Sequence, residues 1–162
     1  MWVQFFTLRS SLISLSLQPE SIQYKMINIT RKATFSAAHK LERKDWSAEK
    51  NKEVFGKCSN ENWHGHNYSI YVTVRGEVNP DTGFVINLTH VSDILNRKVI
   101  SKVDHKNLNL DVDFMRDKLP STENFAIAIW EEIEKEINEL GGTLYCVKVQ
   151  ETENNFVEYF GK

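Results

Sequence analysis

Proline and cysteine are scarce in this chain, long apolar runs are missing, and neither sign of charge prevails. Each scarcity removes a class of protein. The two cysteines, Cys58 and Cys146, are too few for a disulfide framework, and a chain of 162 residues can bury a core without one. A reduced, cytoplasmic compartment is the expectation. No apolar stretch approaches the roughly 20 residues that span a bilayer, so no membrane partner is expected. The formal net charge is -2, with acidic and basic side chains interspersed. A sequence-independent nucleic-acid binder needs a basic stripe, and there is none. Any anionic ligand must be met by a local cluster rather than by the overall field. What remains is 41% apolar and 26% charged, the composition of an ordinary globular domain.

Residues 1–25 differ from the rest: they are apolar and serine-rich, with Arg9, Glu20 and Lys25 as their only charges. They lack the positive n-region and small-residue cleavage site of a signal peptide. A single arginine before Glu20 makes a poor mitochondrial presequence. An over-extended start is the simpler reading, with Met26 as the working initiator and one domain over 26–162.

From Ile27 to Ala37 a β-branched, partly alternating run predicts a strand ending near His39. Residues 40–63 are polar and read as a long loop or insertion, a length uncommon unless functional. The next segment alternates, with Tyr68, Ile70, Val72 and Val74 on one face and Ser69, Tyr71, Thr73 and Arg75 on the other. The cluster Asn79-Pro80-Asp81-Thr82-Gly83 predicts a turn into a short strand from Phe84 to Leu88, hence a hairpin. Val91, Leu95, Val99 and Val103 recur every fourth residue and predict a first helix, with Thr89 near its start as a cap. A second helix follows Pro120-Ser121-Thr122, carries Ala126, Ile129, Trp130, Ile133, Ile137 and Leu140 on one stripe, and stops at Gly141-Gly142. Strands are then expected over Leu144–Glu151 and Phe156–Phe160, with Glu153-Asn154-Asn155 turning between them. Antiparallel strands with two helices segregated to one face make an α+β domain.

Of five histidines, His64 and His66 stand two apart at the start of a strand, so their imidazoles share a face. Gly65 between them leaves room for close approach. His39 ends the preceding strand, which can bring a third imidazole alongside. Three neutral histidines suit zinc and leave a fourth position for water or substrate. Cys58 is ambiguous at this level. As a fourth ligand it would close a structural site; standing outside the ligand set, it would be a reactive thiol. His90 reads as a surface histidine of the first helical turn.

The blocks Phe35-Ser36-Ala37-Ala38-His39, Phe55-Gly56-Lys57-Cys58, His64-Gly65-His66-Asn67-Tyr68, Asp104-His105-Lys106-Asn107-Leu108, Ser121-Thr122-Glu123-Asn124 and Glu151-Thr152 occur in one order. As an ordered set from about Ile27 to the C-terminus, they resemble the 6-pyruvoyltetrahydropterin synthase and 6-carboxytetrahydropterin synthase family. The resemblance implies a tunnelling fold (T-fold): a four-stranded antiparallel sheet with two helices, three copies closing a twelve-stranded barrel, and two trimers stacking into a homohexamer with active sites at subunit interfaces. It implies a Zn2+ cofactor on His39, His64 and His66, and 7,8-dihydroneopterin triphosphate as the small-molecule substrate. Cys58 would be the proton-abstracting thiol, assisted by Asp104 and His105 from a neighbouring subunit. Glu151 would anchor the pterin by accepting two parallel hydrogen bonds. Glu123 matches a second pterin position, although an acid in a helical first turn is also favoured by the helix dipole alone. Trp63 stands where many relatives carry a smaller residue, and Lys40 where arginine is frequent.

The two family branches share substrate and zinc. The five residues between Cys58 and His64 resemble the spacing of the biopterin enzymes, whereas the block from Glu151 to Tyr159 and the aromatic before His64 resemble bacterial 6-carboxy enzymes. The sequence reading therefore places the chain in the 6-carboxy branch of queuosine biosynthesis, with release of acetaldehyde, and holds the 6-pyruvoyl branch of tetrahydrobiopterin biosynthesis as the alternative. Two other classes are distinguishable by experiment. A non-catalytic pterin-binding or structural zinc protein would lose metal and fold together on Cys58→Ala, and a simple zinc hydrolase would keep its activity without Cys58 and Glu151.

Overall fold

The computed structural model describes residues 25–161, so all of the leader except Lys25 lies outside the described residues. Two long strands form its frame. β1 (Met26–His39) and β2 (His64–Glu77) pair antiparallel along their whole length, with His39 opposite His64 and Ala37 opposite His66. The alternation in β2 is borne out: Tyr68, Ile70, Val72 and Val74 are buried, while the residues between them are only half-buried.

The loop expected over 40–63 is instead partly helical. Helix α1 (Ala48–Phe55) is capped by the Ser47 hydroxyl, which accepts from the Lys50 amide, and a 3-10 turn (Gly56–Ser59) follows it. A polar sequence hides such a helix because it has no apolar stripe to reveal it; tertiary hydrogen bonds hold it instead.

The expected strand at 84–88 does not form, and neither does the hairpin. The Asn79 side chain accepts from the Asp81 and Thr82 amides, Gly83 N–H donates to Asn79 O, and Asn87 caps the next helix through the Thr89 amide. The apolar run is consumed between a closed turn and a helix cap. The cap is thus Asn87, two residues before the expected Thr89. Helix α2 (Leu88–Leu95) continues through a π-helical turn (Asn96–Ile100) into α3 (Ser101–Val103). Val91, Leu95, Val99 and Val103 are all fully buried. A repeat of four drifts around an α-helix of 3.6 residues per turn, and the wider π turn keeps the stripe facing inward.

Beyond it, β3 (Lys106–Asn107) lies parallel to β1, and α4 (Thr122–Glu139) carries the predicted apolar stripe. Its cap is Ser121, whose hydroxyl accepts from the Asn124 amide. Gly141, at φ 94, makes the left-handed stop that a side chain would strain. β4 (Thr143–Gln150) and β5 (Phe156–Tyr159) close the sheet in the order β3-β1-β2-β4-β5. The α+β class holds. The sheet has five strands rather than four and is not wholly antiparallel, because the chain leaving α3 is drawn against the end of β1 by His105 N–H to Ser36 O and Leu108 N–H to Ala38 O. One apolar core joins the helix-facing side of the sheet to α2 and α4.

Candidate active site

The helix-facing side of the sheet changes character at its end. Register places His39, His64, His66, Tyr68 and Phe35 on that one side. Phe35 and Tyr68 stack at 5.1 Å and finish the core; the three imidazoles lie just beyond them. Gly65 permits the close pairing, since a Cβ there would meet Ala37 O at 3.0 Å.

Each ligand atom of the three histidines lies within 4.8 Å of the other two. His39 is only 2% exposed, and its Nδ1 lies 2.8 Å from Pro120 O. A carbonyl can only accept, so Nδ1 carries a proton and Nε2 is the nitrogen turned into the site. That Nε2, both nitrogens of His64 and Nε2 of His66 are buried without a hydrogen-bond partner. Burial, first of all, pushes the pKa of His64 and His66 down, which keeps both neutral. Buried, unpartnered and neutral imidazole nitrogens converging on one point fit a bound metal ion.

Glu151 follows β4 directly, one residue past the Ser69–Gln150 pair, and enters the same space. Its Oε1 lies 3.3 Å from His39 Nε2 and 3.5 Å from His66 Nε2. Two lone pairs facing each other at this range call for a proton or a cation between them. Its carboxyl is held below the ordinary range, first by His39. Glu123, in the first turn of α4, lines a cleft of about 280 Å³ with Glu151, Thr122 and Asn155, so the two carboxylates proposed for one ligand face one cavity.

Cys58 sits in the 3-10 turn, half-buried, and stands outside the set of atoms that converge on the metal position. Burial first, then the charge of Glu151, pushes its thiol up. The charge that the folded chain itself sets beside the thiol is the negative one of Glu151. Asp104 and His105 form a pair, His105 Nδ1 being 3.0 Å from Asp104 Oδ1, which also accepts from the Ser36 amide. His105 is 81% exposed, at φ 57, just before β3 at the outer edge of the sheet. Among the described residues no hydrogen bond or ion pair links this dyad to the three imidazoles.

Three contributors escaped the sequence reading. The Pro120 carbonyl holds the His39 ring, Thr122 lines the cleft beside Glu151, and Tyr68 seals the floor with its hydroxyl pushed up by burial. Only Tyr68 carried a signal, the start of the alternating apolar run.

Residues 28–162 match the family model described as "PTPS: 6-pyruvoyl tetrahydropterin synthase". The 6-pyruvoyl tetrahydrobiopterin synthase of Homo sapiens is 45% identical over 134 residues, 83% of this chain and 91% of that protein. The solved structure of Caenorhabditis elegans 6-pyruvoyl tetrahydropterin synthase superposes with a TM-score of 0.80 at 38% identity, covering 86% of this chain and 98% of that one. The 6-carboxy-5,6,7,8-tetrahydropterin synthase of Bacillus subtilis is 29% identical over 148 residues, 88% of this chain and 91% of that protein. These identities favour the 6-pyruvoyl alternative over the 6-carboxy reading drawn from the block Glu151 to Tyr159. That block holds one carboxylate of the cluster, Glu151, a turn and a short edge strand, too little to separate the branches. From its family match, its relatives and its fold, the chain belongs to the 6-pyruvoyl tetrahydropterin synthase family.

Proposed function

We propose that this chain is a lyase of tetrahydrobiopterin synthesis, a 6-pyruvoyl tetrahydropterin synthase that takes 7,8-dihydroneopterin triphosphate and releases triphosphate. The observation that carries the reading is the junction of two half-sites at one sheet end. Three imidazoles converge beside a carboxylate, and that carboxylate opens onto a cleft it shares with Glu123. The 45% identity to the human enzyme supports the pyruvoyl product.

The residues divide the work. Glu151, ionised at neutral pH, accepts two parallel hydrogen bonds from the aminopyrimidinone edge, and Glu123 receives a further donor of the ring. This anchoring lays the substrate side chain toward His39, His64 and His66, which are the residues that would hold Zn2+. A bound zinc ion would polarise the side-chain oxygens and draw the nearby thiol toward thiolate. Cys58 then takes the carbon-bound proton, and the substrate's own electrons expel triphosphate and reshape the side chain to a pyruvoyl group. No outside oxidant or reductant is needed. The triphosphate would be met locally, Lys40, Arg43 and Lys57 being the nearby cations. Of these, Lys40 pairs with Glu42 and Arg43 with Asp45.

The dyad Asp104–His105 serves a neighbouring copy in this proposal, in keeping with its exposed place on a sheet edge. The opposite edge, β5, exposes Phe156 by 52%, and Phe160 beyond it by 51%. Both edges are therefore available for three copies to close a barrel, with two such trimers making a hexamer. A cytoplasmic location accords with the two free cysteines, and no described helix is long and apolar enough to cross a membrane.

The test is incubation of the full chain with zinc and dihydroneopterin triphosphate, followed by mass analysis. Triphosphate with a 6-pyruvoyl product is expected. Acetaldehyde with a 6-carboxy product would place the chain in the other branch, and no turnover of this substrate would sink the proposal.

A further inference from the structure

The segment that leaves His39 is not part of the sheet, yet the main-chain groups of three of its residues are gripped. At Lys40, Asn109 Oδ1 accepts the N–H at 3.0 Å while its Nδ2 donates to the C=O at 2.9 Å. At Leu41, the N–H donates to Cys58 O at 2.9 Å. At Arg43, Asn51 Oδ1 accepts the N–H at 2.8 Å while its Nδ2 donates to the C=O at 2.9 Å. Asn51 Nδ2 also reaches Ser47 O at 3.1 Å and Trp46 O at 3.4 Å. A primary amide offers a donor and an acceptor side by side, so each asparagine treats one residue's backbone as an adjacent strand would.

Asn51 is 4% exposed, and its side-chain amide is spent on the backbone of Arg43, Trp46 and Ser47. A buried polar side chain is tolerated only with its partners in place. Asn109 is anchored in turn: its own N–H donates to Asn107 Oδ1, and Asn107 N–H donates to Asp111 Oδ2. Apart from the Leu41–Cys58 bond, the hydrogen bonds of the turn that carries Cys58 are local. Ser59 Oγ bonds Gly56 O and Asn60 N–H bonds Lys57 O, both local. Gly56 N–H returns to Lys52 O of α1, and the Leu41–Cys58 bond joins the turn to the segment that leaves β1.

We propose that Asn51 and Asn109 are positioning residues for Cys58, clamping residues 40–43 so that the Leu41 amide fixes the thiol's turn relative to His39. This rests on Cys58 being the base proposed above. A displacement of about 1 Å at a reacting group costs on the order of a hundredfold in rate, so a loosened clamp acts on turnover rather than on substrate binding.

The experiment compares zinc-loaded full-length Asn51→Ala and Asn109→Ala with the unaltered protein. The second variant, at a less buried position, guards against the first failing to fold. Expected are a drop in kcat of about 30- to 100-fold, a KM within twofold, unchanged zinc stoichiometry, and hydrogen exchange at the Leu41 amide at least tenfold faster. Faster exchange with unaltered kcat would overturn the proposal, because the clamp would then be structural only. A raised KM with unaltered kcat would overturn it in favour of a substrate contact. Cys58→Ala run alongside separates the two readings: if it keeps full turnover, the assignment of Cys58 itself falls, whatever the asparagine variants do.

Discussion

The helix-facing side of β2 divides at Tyr68. Beyond it, Ile70, Val72 and Val74 are wholly enclosed in the apolar core. Before it, His64 and His66 present buried nitrogens with no partner, and the Glu151 carboxylate lies 3.5 Å from His66 Nε2. The two stretches share a strand, a register and a face. One lowers the free energy of the fold; the other is tolerated by it at a cost of unsatisfied polar groups. A strand that runs from core to cavity can thus be rigid where it is packed and reactive where it is not, with Tyr68 as the boundary.

Substitutions at the two ends should break in opposite ways. His64→Ala is expected to lower zinc-dependent turnover by about a thousandfold, the worth of a few kcal/mol of charge stabilisation, while the metal-free protein melts no earlier than before. Steady-state kinetics and a thermal melt check both halves. Cys58→Ala should cost about a hundredfold or more in kcat with zinc content retained, measured on the same preparation by kinetics and elemental analysis. At the other end, Ile70→Ala should cost about 2–5 kcal/mol in urea unfolding and leave turnover per folded molecule unchanged.

The contrast also has a pH signature. His64 and His66 are pushed down by burial, so the folded, metal-free protein keeps them neutral where the unfolded chain takes up protons. Their contribution is complete above about pH 6.5 and is lost as pH falls below it, through their lowered folded values. Glu151, held low by His39, adds a loss of the same sign below about pH 4.5. Urea midpoints of the metal-free protein should therefore decline between pH 7.5 and 5.5, and much less so in a His64→Ala, His66→Ala double variant. The smallest effect is at Trp63, at φ 65 just before His64. Trp63→Gly relieves a left-handed backbone worth about 1–2 kcal/mol, less the added freedom of glycine when unfolded, for a net gain of about 0.5–1 kcal/mol by urea unfolding.

The core end was legible from sequence because alternation and helical stripes are local signals. The site end was legible only in part. His64-Gly65-His66 declares a shared face, but Glu151 joins it through pairing across β4, and the helix at 48–55 is held by Asn51, a bond pattern no periodicity records. The hairpin expected at 84–88 failed for a similar reason: the Asn79 side chain closed the turn before a strand could start. The placement of Asp104–His105 on an outer edge depends on β3, two residues too short to announce themselves.

Zinc binding by equilibrium dialysis tests the central claim most directly. One ion per chain is predicted for the unaltered protein and for Cys58→Ala, with binding lost in His64→Ala. Loss of the ion in Cys58→Ala, or its retention in His64→Ala, would contradict the account.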